Sequence, residues 1–170
     1  MCSSDLCVVN VNGDVVAGQE QWKNFVEQAQ AGQPASVRLV YYYTLTNRES
    51  YDSFTFEDIF KEYPYMEIRD LHYDGSQYTY RIYDHGSLYE SVWDYMTLYS
   101  AASLNDMTYG DYCLFSNMPD PTWEEYLASK YLSSTPFLGY IVYSDIIYDR
   151  TPTLGELEAA KNALEPYMIE

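Results

Sequence analysis

Cations are scarce in this sequence: nine Lys and Arg stand against 26 Asp and Glu, a formal net charge of −17 over 170 residues. Binding duplex DNA or RNA requires clustered cations that displace counterions from phosphate, and no such cluster occurs, which removes nucleic acid from the expected partners. An anionic membrane surface is disfavoured for the same reason. Histidine is limited to His72 and His85, so few groups are suited to act as a base near neutral pH. Cysteine is limited to Cys2, Cys7 and Cys113, with no Cys-x-x-Cys pair and both histidines far away in sequence, so no zinc pattern is present. No apolar run approaches the ~18–20 residues of a membrane-spanning helix. The residues after Met1 form neither the basic stretch nor the apolar core of a signal peptide. Glycine-rich phosphate loops and the Gly-x-Ser-x-Gly elbow are also missing, and no cofactor is expected.

What the chain has in quantity is tyrosine, 21 residues of it, within a composition that is 47% hydrophobic and 21% charged. That balance rules out a disordered chain and fits a single folded domain. Tyrosine joins a large apolar ring to a polar tip, so rings set among carboxylates suit either strand packing or a contact surface.

Local patterns divide the chain into alternating elements. Leu6 to Val11 reads as a strand ending at the turn Asn12-Gly13-Asp14. Over Gln19 to Ala31 the spacing of Trp22, Phe25, Val26 and Ala29 predicts a helix, stopped by Gly32 and Pro34. Ser36 to Leu45 follows as a strand whose continuous apolar and aromatic run predicts a central position with both faces covered. Phe54 to Tyr63 suits a short helix ended by Pro64. Met66 to Asp84 reads as a hairpin about Asp74-Gly75. Leu88 to Tyr99 fits a strand, although Val92, Tyr95, Met96 and Tyr99 also make a helical face. Tyr109 to Ser116 and Phe137 to Tyr148 are further strands. Thr122 with Glu125, and Thr153 with Glu156, match the capping box and predict helices to about Leu132 and Leu164. The Trp22 and Trp123 helices each lead through a Pro-containing loop into an aromatic strand, a weak internal repeat that ordinary α+β alternation also produces. Together these elements predict an α+β fold: one domain over residues 6–170, mainly an antiparallel sheet with about three helices packed on it, behind a tail at residues 1–5. Trp22, Phe25, Val26, Val37, Leu39, Ile68, Leu71, Trp123, Leu127, Ile141, Leu157 and Leu164 are the expected core.

Val8-Val9-Asn10 with Gly13, Trp22 and Phe25 on one helix, Val37-Arg38-Leu39-Val40 with Tyr43-Thr44, and Leu71-His72-Tyr73-Asp74-Gly75 leading to Tyr80 and Asp84 form a set of short motifs. On these the stretch from about Leu6 to Asp84 resembles a domain of unknown function found in small lipoproteins and secreted proteins of Gram-positive bacteria. A Glu-Gly-Asp-Pro segment that usually follows the Tyr-Thr pair in that family is missing, and Asn47 to Tyr65 stands in its place. The resemblance implies an extracytoplasmic α+β domain at the cell envelope and no particular activity. It also supports reading Cys2 as the lipidation site of a lipoprotein cut at its acylated cysteine, with Met1 added in front. A native start at Met1 implies a cytoplasmic protein instead. With Cys2 lipidated, Cys7 and Cys113 remain either as one disulfide or as buried small hydrophobes.

Little catalytic chemistry is legible. His85-Gly86-Ser87 is a local juxtaposition of the kind an ordinary loop produces. His72 and His85 lie too far apart along the Asp74-Gly75 hairpin to share a metal, by over ~20 Å at about 3.3 Å per residue. Asn105, Asp106 and Asp111 lack the EF-hand pattern and read as solvated loop carboxylates. The aromatic strands carry the best candidates: Tyr41, Tyr42 and Tyr43 alternate faces of one strand, while Tyr78 and Tyr80 oppose Arg81 and Tyr83 on another. Strand packing explains many of these rings; the functional alternative is a tyrosine-lined contact surface for a protein, peptide or glycan. The leading expectation is a non-enzymatic extracytoplasmic binding or interaction domain that meets a membrane only through a lipid anchor. The alternatives are a glycan-acting hydrolase using an acidic pair and an acidic cytosolic inhibitor of a basic partner.

Overall fold

A computed structural model describes residues 7–44, 63–84, 86–100, 111–131 and 136–144. They form nine strands and two helices, so the coarse α+β expectation holds while the third helix, at Thr153, falls outside the described residues. The expected helix at Phe54, and the core positions Leu157 and Leu164, fall outside them too. The strands form two sheets, and the chain divides into two compact units. The first comprises residues 1–75 and 79–91, and the second residues 76–78 and 92–170.

The larger sheet begins with β1 (Cys7–Val11) and β2 (Asp14–Ala17), an antiparallel pair joined by Asn12-Gly13. Both turn residues have positive φ, 53° and 102°, the conformation that lets a two-residue hairpin follow the twist of its strands. Asn10 fixes this turn from beneath: its side chain donates to the Gly13 carbonyl at 2.9 Å and accepts from the Gly13 amide at 2.8 Å. Helix α1 (Gln19–Gln30) starts at Gly18, where a Cβ would lie 2.2 Å from the Cys7 carbonyl oxygen; only glycine allows the helix to begin so close to β1. It ends as the Gly32 and Pro34 signal predicted. Gln33 N–H bonds Gln28 O and Gly32 N–H bonds Ala29 O, with Gly32 left-handed at φ 71°, a Schellman cap.

The helix packs on β1 and on β3 (Ala35–Tyr43), burying Phe25 and Ala29. β3 runs parallel to β1 and antiparallel to β4 (Tyr65–Tyr73), so its central position is as expected. Its faces are not both covered. Ala35, Val37, Leu39 and Tyr41 are buried, while Ser36 and Tyr42 are exposed and Arg38 and Val40 half-buried. Ile68, an expected core residue, pairs with Val40 on that second face and is only half-buried. β5 (Tyr78–Asp84) and β6 (Ser87–Trp93) complete the strand order β2-β1-β3-β4-β5-β6. Residues 74–77 separate β4 from β5, so Asp74-Gly75 lies in a four-residue connection, not a two-residue turn.

The segment Leu88 to Tyr99 is two strands in two sheets. The chain breaks at Asp94, which accepts from Gln77 Nε2 at 2.8 Å, and β7 (Tyr95–Tyr99) joins β8 (Tyr112–Ser116) and β9 (Gly139–Ser144) in a three-stranded antiparallel sheet. Helix α2 (Trp123–Tyr131) opens with the predicted capping box: Thr122 Oγ1 accepts from Glu125 N–H at 3.2 Å and a Glu125 carboxylate oxygen accepts from Thr122 N–H at 2.7 Å. Tyr99, Leu114 and Tyr126 form a buried cluster against which Tyr112, Trp123, Leu127 and Ile141 pack half-buried.

Gly139 is where β9 meets β8 most closely, since a Cβ there would lie 2.0 Å from the Phe115 carbonyl oxygen, a backbone atom that cannot swing away. Gly139→Ala is expected to lower the unfolding free energy by about 3 kcal/mol. Gly32→Ala, which meets no atom within 4 Å but must hold φ 71°, is expected to cost about 1 kcal/mol. Urea unfolding of both variants checks the order.

Candidate functional site

Alternation along β3 separates the three consecutive tyrosines. Tyr41 and Tyr43 point to the helix side of the larger sheet, where Tyr41 stacks on Tyr43 at 6.3 Å and Tyr43 on Tyr65 at 6.0 Å between ring centroids. The Arg69 guanidinium sits 4.4 Å from the Tyr41 ring centroid and forms an ion pair with Glu67, both side chains less than one-fifth exposed. Burial pulls the Arg69 guanidinium down, but the Tyr80 and Tyr41 phenols and the Glu67 carboxylate outweigh it and hold the group well above the ordinary arginine value. Tyr41 and Tyr80 thus converge on one cation, and Tyr43 stacks beside Tyr41. Tyr41 and Tyr80 are buried and Tyr43 half-buried, so the group is a packed polar layer and not the open groove expected. Tyr78 is buried too, 4.8 Å from the Phe115 ring in the second unit.

Tyr42 and Tyr83 lie on the opposite, open face, 36% and 39% exposed, with Met66 at 54%. Around them is an arrangement that the sequence reading missed. Arg38 Nε donates to Asp70 Oδ1 at 2.5 Å and Nη2 to Oδ2 at 2.7 Å, a two-pronged pair between directly opposed residues of β3 and β4. Arg81 of β5 pairs with Glu90 of β6 and also feels the charge of Asp70. Four neighbouring strands therefore carry Arg, Asp, Arg and Glu in alternating sign. The hydrogen bond to Asp70 holds the Arg38 guanidinium above its usual value, with Tyr83 close enough to add to the effect. His72 Nδ1 lies 2.7 Å from Ser36 Oγ on the same face. A period-two reading of 66, 68, 70, 72 against 36, 38, 40, 42 is the signal that finds this face.

The remaining candidate positions resolve differently. Cys7 is disulfide-bonded and Cys113 is a free, fully buried thiol, so of the two alternatives for the pair the Cys7–Cys113 disulfide does not form and Cys113 is a buried small hydrophobe. Burial alone pushes the Cys113 thiol far up, leaving it an inert apolar filler. Cys2, His85, Asn105 and Asp106 lie outside the described residues. Among the described residues, no three His, Cys, Asp and Glu side chains gather as a metal site, and no helix is long and apolar enough to cross a membrane. The chain matches no known protein family, and neither a curated protein nor a solved structure matches it.

Two expectations follow. Removing one partner of a buried ion pair strands the other, so Arg69→Met is expected to cost about 3 kcal/mol, and Glu67→Leu in the same chain to recover most of that loss in urea unfolding. In the second unit, burial first, and then Glu125 and its neighbours, push the Tyr99 phenol well above its ordinary value, while its hydroxyl donates to Pro121 O at 2.7 Å. The unfolded chain releases that proton near pH ~10 while the folded one keeps it. Stability from this group is complete below that pH and lost above it. Tyr99→Phe is therefore expected to flatten the alkaline decline of the unfolding free energy; an unchanged slope would overturn the assignment.

Proposed function

We propose that the chain is a non-enzymatic, extracytoplasmic binding domain that engages a protein or peptide through the open face of its larger sheet. The observation that carries this reading is the pairing of exposed Tyr42, Met66 and Tyr83 with a charge ladder neutralised within itself, in a chain of net charge −17. Interface centres favour Tyr, Met and Arg and avoid unpaired charge, which is the composition of this face. A partner docking here meets local neutrality instead of the repulsion the rest of the chain offers to other anions.

The carboxylates of this sheet fit binding better than hydrolysis, since Glu67, Asp70 and Glu90 are each tied to an arginine. A disulfide at Cys7 supports an oxidising compartment. The likeness to envelope proteins points to the same compartment. The motifs of that likeness have structural work in the fold: Asn10 fixes the Gly13 turn, and Asn12 holds Thr44 at both its amide and its hydroxyl. They support kinship of fold and leave the ligand to the open face.

Panning a phage-displayed peptide library on the purified domain tests this. Enriched clones are expected to bind the Tyr42→Ala, Met66→Ala, Tyr83→Ala triple variant at least ~10-fold more weakly than the unaltered domain. Clones that bind both forms equally would refute the assignment of the face. Because the three side chains are exposed, the variant's unfolding midpoint is expected to stay close to that of the parent.

A further inference from the structure

The charge ladder ends where the sheet ends. Arg38, Asp70, Arg81 and Glu90 occupy β3, β4, β5 and β6 in that order, and β6 is the last strand, with no neighbouring strand on its far side among the described residues. Edge strands are normally blunted by Lys, by Pro, by a bulge or by brevity. β6 has seven residues, Ser-Leu-Tyr-Glu-Ser-Val-Trp, without Lys or Pro. Leu88 and Tyr89 are 55% and 59% exposed and lie on opposite faces of the strand. Its single carboxylate, Glu90, is held by Arg81 through Oε2 while remaining about half exposed, so the edge carries an oriented anion in place of a free repelling charge.

We propose that β6 is a strand-addition site for an extended, basic peptide segment. This rests on the binding reading above and names the partner's chemistry. A strand added at the usual spacing of ~4.8 Å places one side chain beside Glu90 on the open face and the residue two positions away beside Leu88. A Lys or Arg beside Glu90 supplies the next member of the alternating series, and an apolar residue beside Leu88 removes that side chain from water. The backbone of the added strand supplies main-chain hydrogen bonds, and these two positions supply selectivity. The net charge of −17 steers a cationic segment toward the domain and works against a second copy.

The test is an NMR titration of the isotope-labelled full chain with two short synthetic peptides. Both alternate valine and threonine; one has lysine at its centre, the other glutamate. The lysine peptide is expected to shift the amides of Ser87 to Ser91 and to bind about tenfold more tightly than its counterpart at low salt, with the margin shrinking as salt rises. Glu90→Lys is expected to reverse the preference. Tyr89→Pro is expected to abolish binding; should that variant fail to fold, the Glu90→Lys reversal decides the matter alone. Equal affinities, shifts confined to Tyr42, Met66 and Tyr83, or self-association through the edge would each overturn strand addition. If panning yields face binders and the lysine peptide fails, the binding domain stands without this site; if panning also fails, both readings fall.

Discussion

β3 crosses the middle of the larger sheet, and its two-residue side-chain period governs what lies on either side. Parallel pairing with β1 and antiparallel pairing with β4 fix its register on both edges. Shifting it by one residue would send Leu39 and Tyr41 into solvent and bring Arg38 under the helix. Because the register holds, Val37 and Leu39 are buried on the face of β3 that α1 covers, and Tyr41 stacks on Tyr43 with Arg69 over its ring. The same register turns Arg38 toward Asp70 on the other face. One strand thus sets both the core and the candidate surface.

The buried cation is the unusual part of that core. A largely buried arginine is tolerated because it is paired with Glu67 and covered by the electron-rich face of Tyr41, so its charge is never left alone in an apolar setting. Several tyrosines therefore have a structural role. Their abundance is in part a means of housing polarity inside a sheet-and-helix layer, where Phe would offer no phenol to the guanidinium. The rings that remain for recognition are the few that alternation expels to the open face.

What the sequence disclosed was local. The α1 periodicity, its Gly32 stop, the Asn12-Gly13 turn and the Thr122 capping box each depend on residues within one or two turns of each other, and each appears in the structure. Pairing between distant strands was not legible. The break at Asp94 assigns Val92 and Tyr95 to different sheets, although one periodic run covers both. The ladder from Arg38 to Glu90 is assembled from four strands, and its end residues lie 52 positions apart in sequence. β2 escaped notice because four residues, Asp-Val-Val-Ala, are too few to show alternation. The tyrosine positions were readable as candidates, but their division between core and surface required the register.

The join between β3 and β4 has a further consequence, for how this protein can change over generations. Tyr43 and Tyr65 are directly opposed, so the chain leaving β3 and the chain entering β4 start from two points about 5 Å apart. That spacing is held by the nine-residue ladder beneath it, together with the Asn12–Thr44 clamp at its end. The cost of closing a connection grows only slowly with its length, by roughly 0.6 kcal/mol per doubling. The closure term therefore sets little limit on how many residues join Thr44 to Tyr65. As far as chain closure is concerned, the length of this connection is free to change while the nine-residue ladder stays as it is.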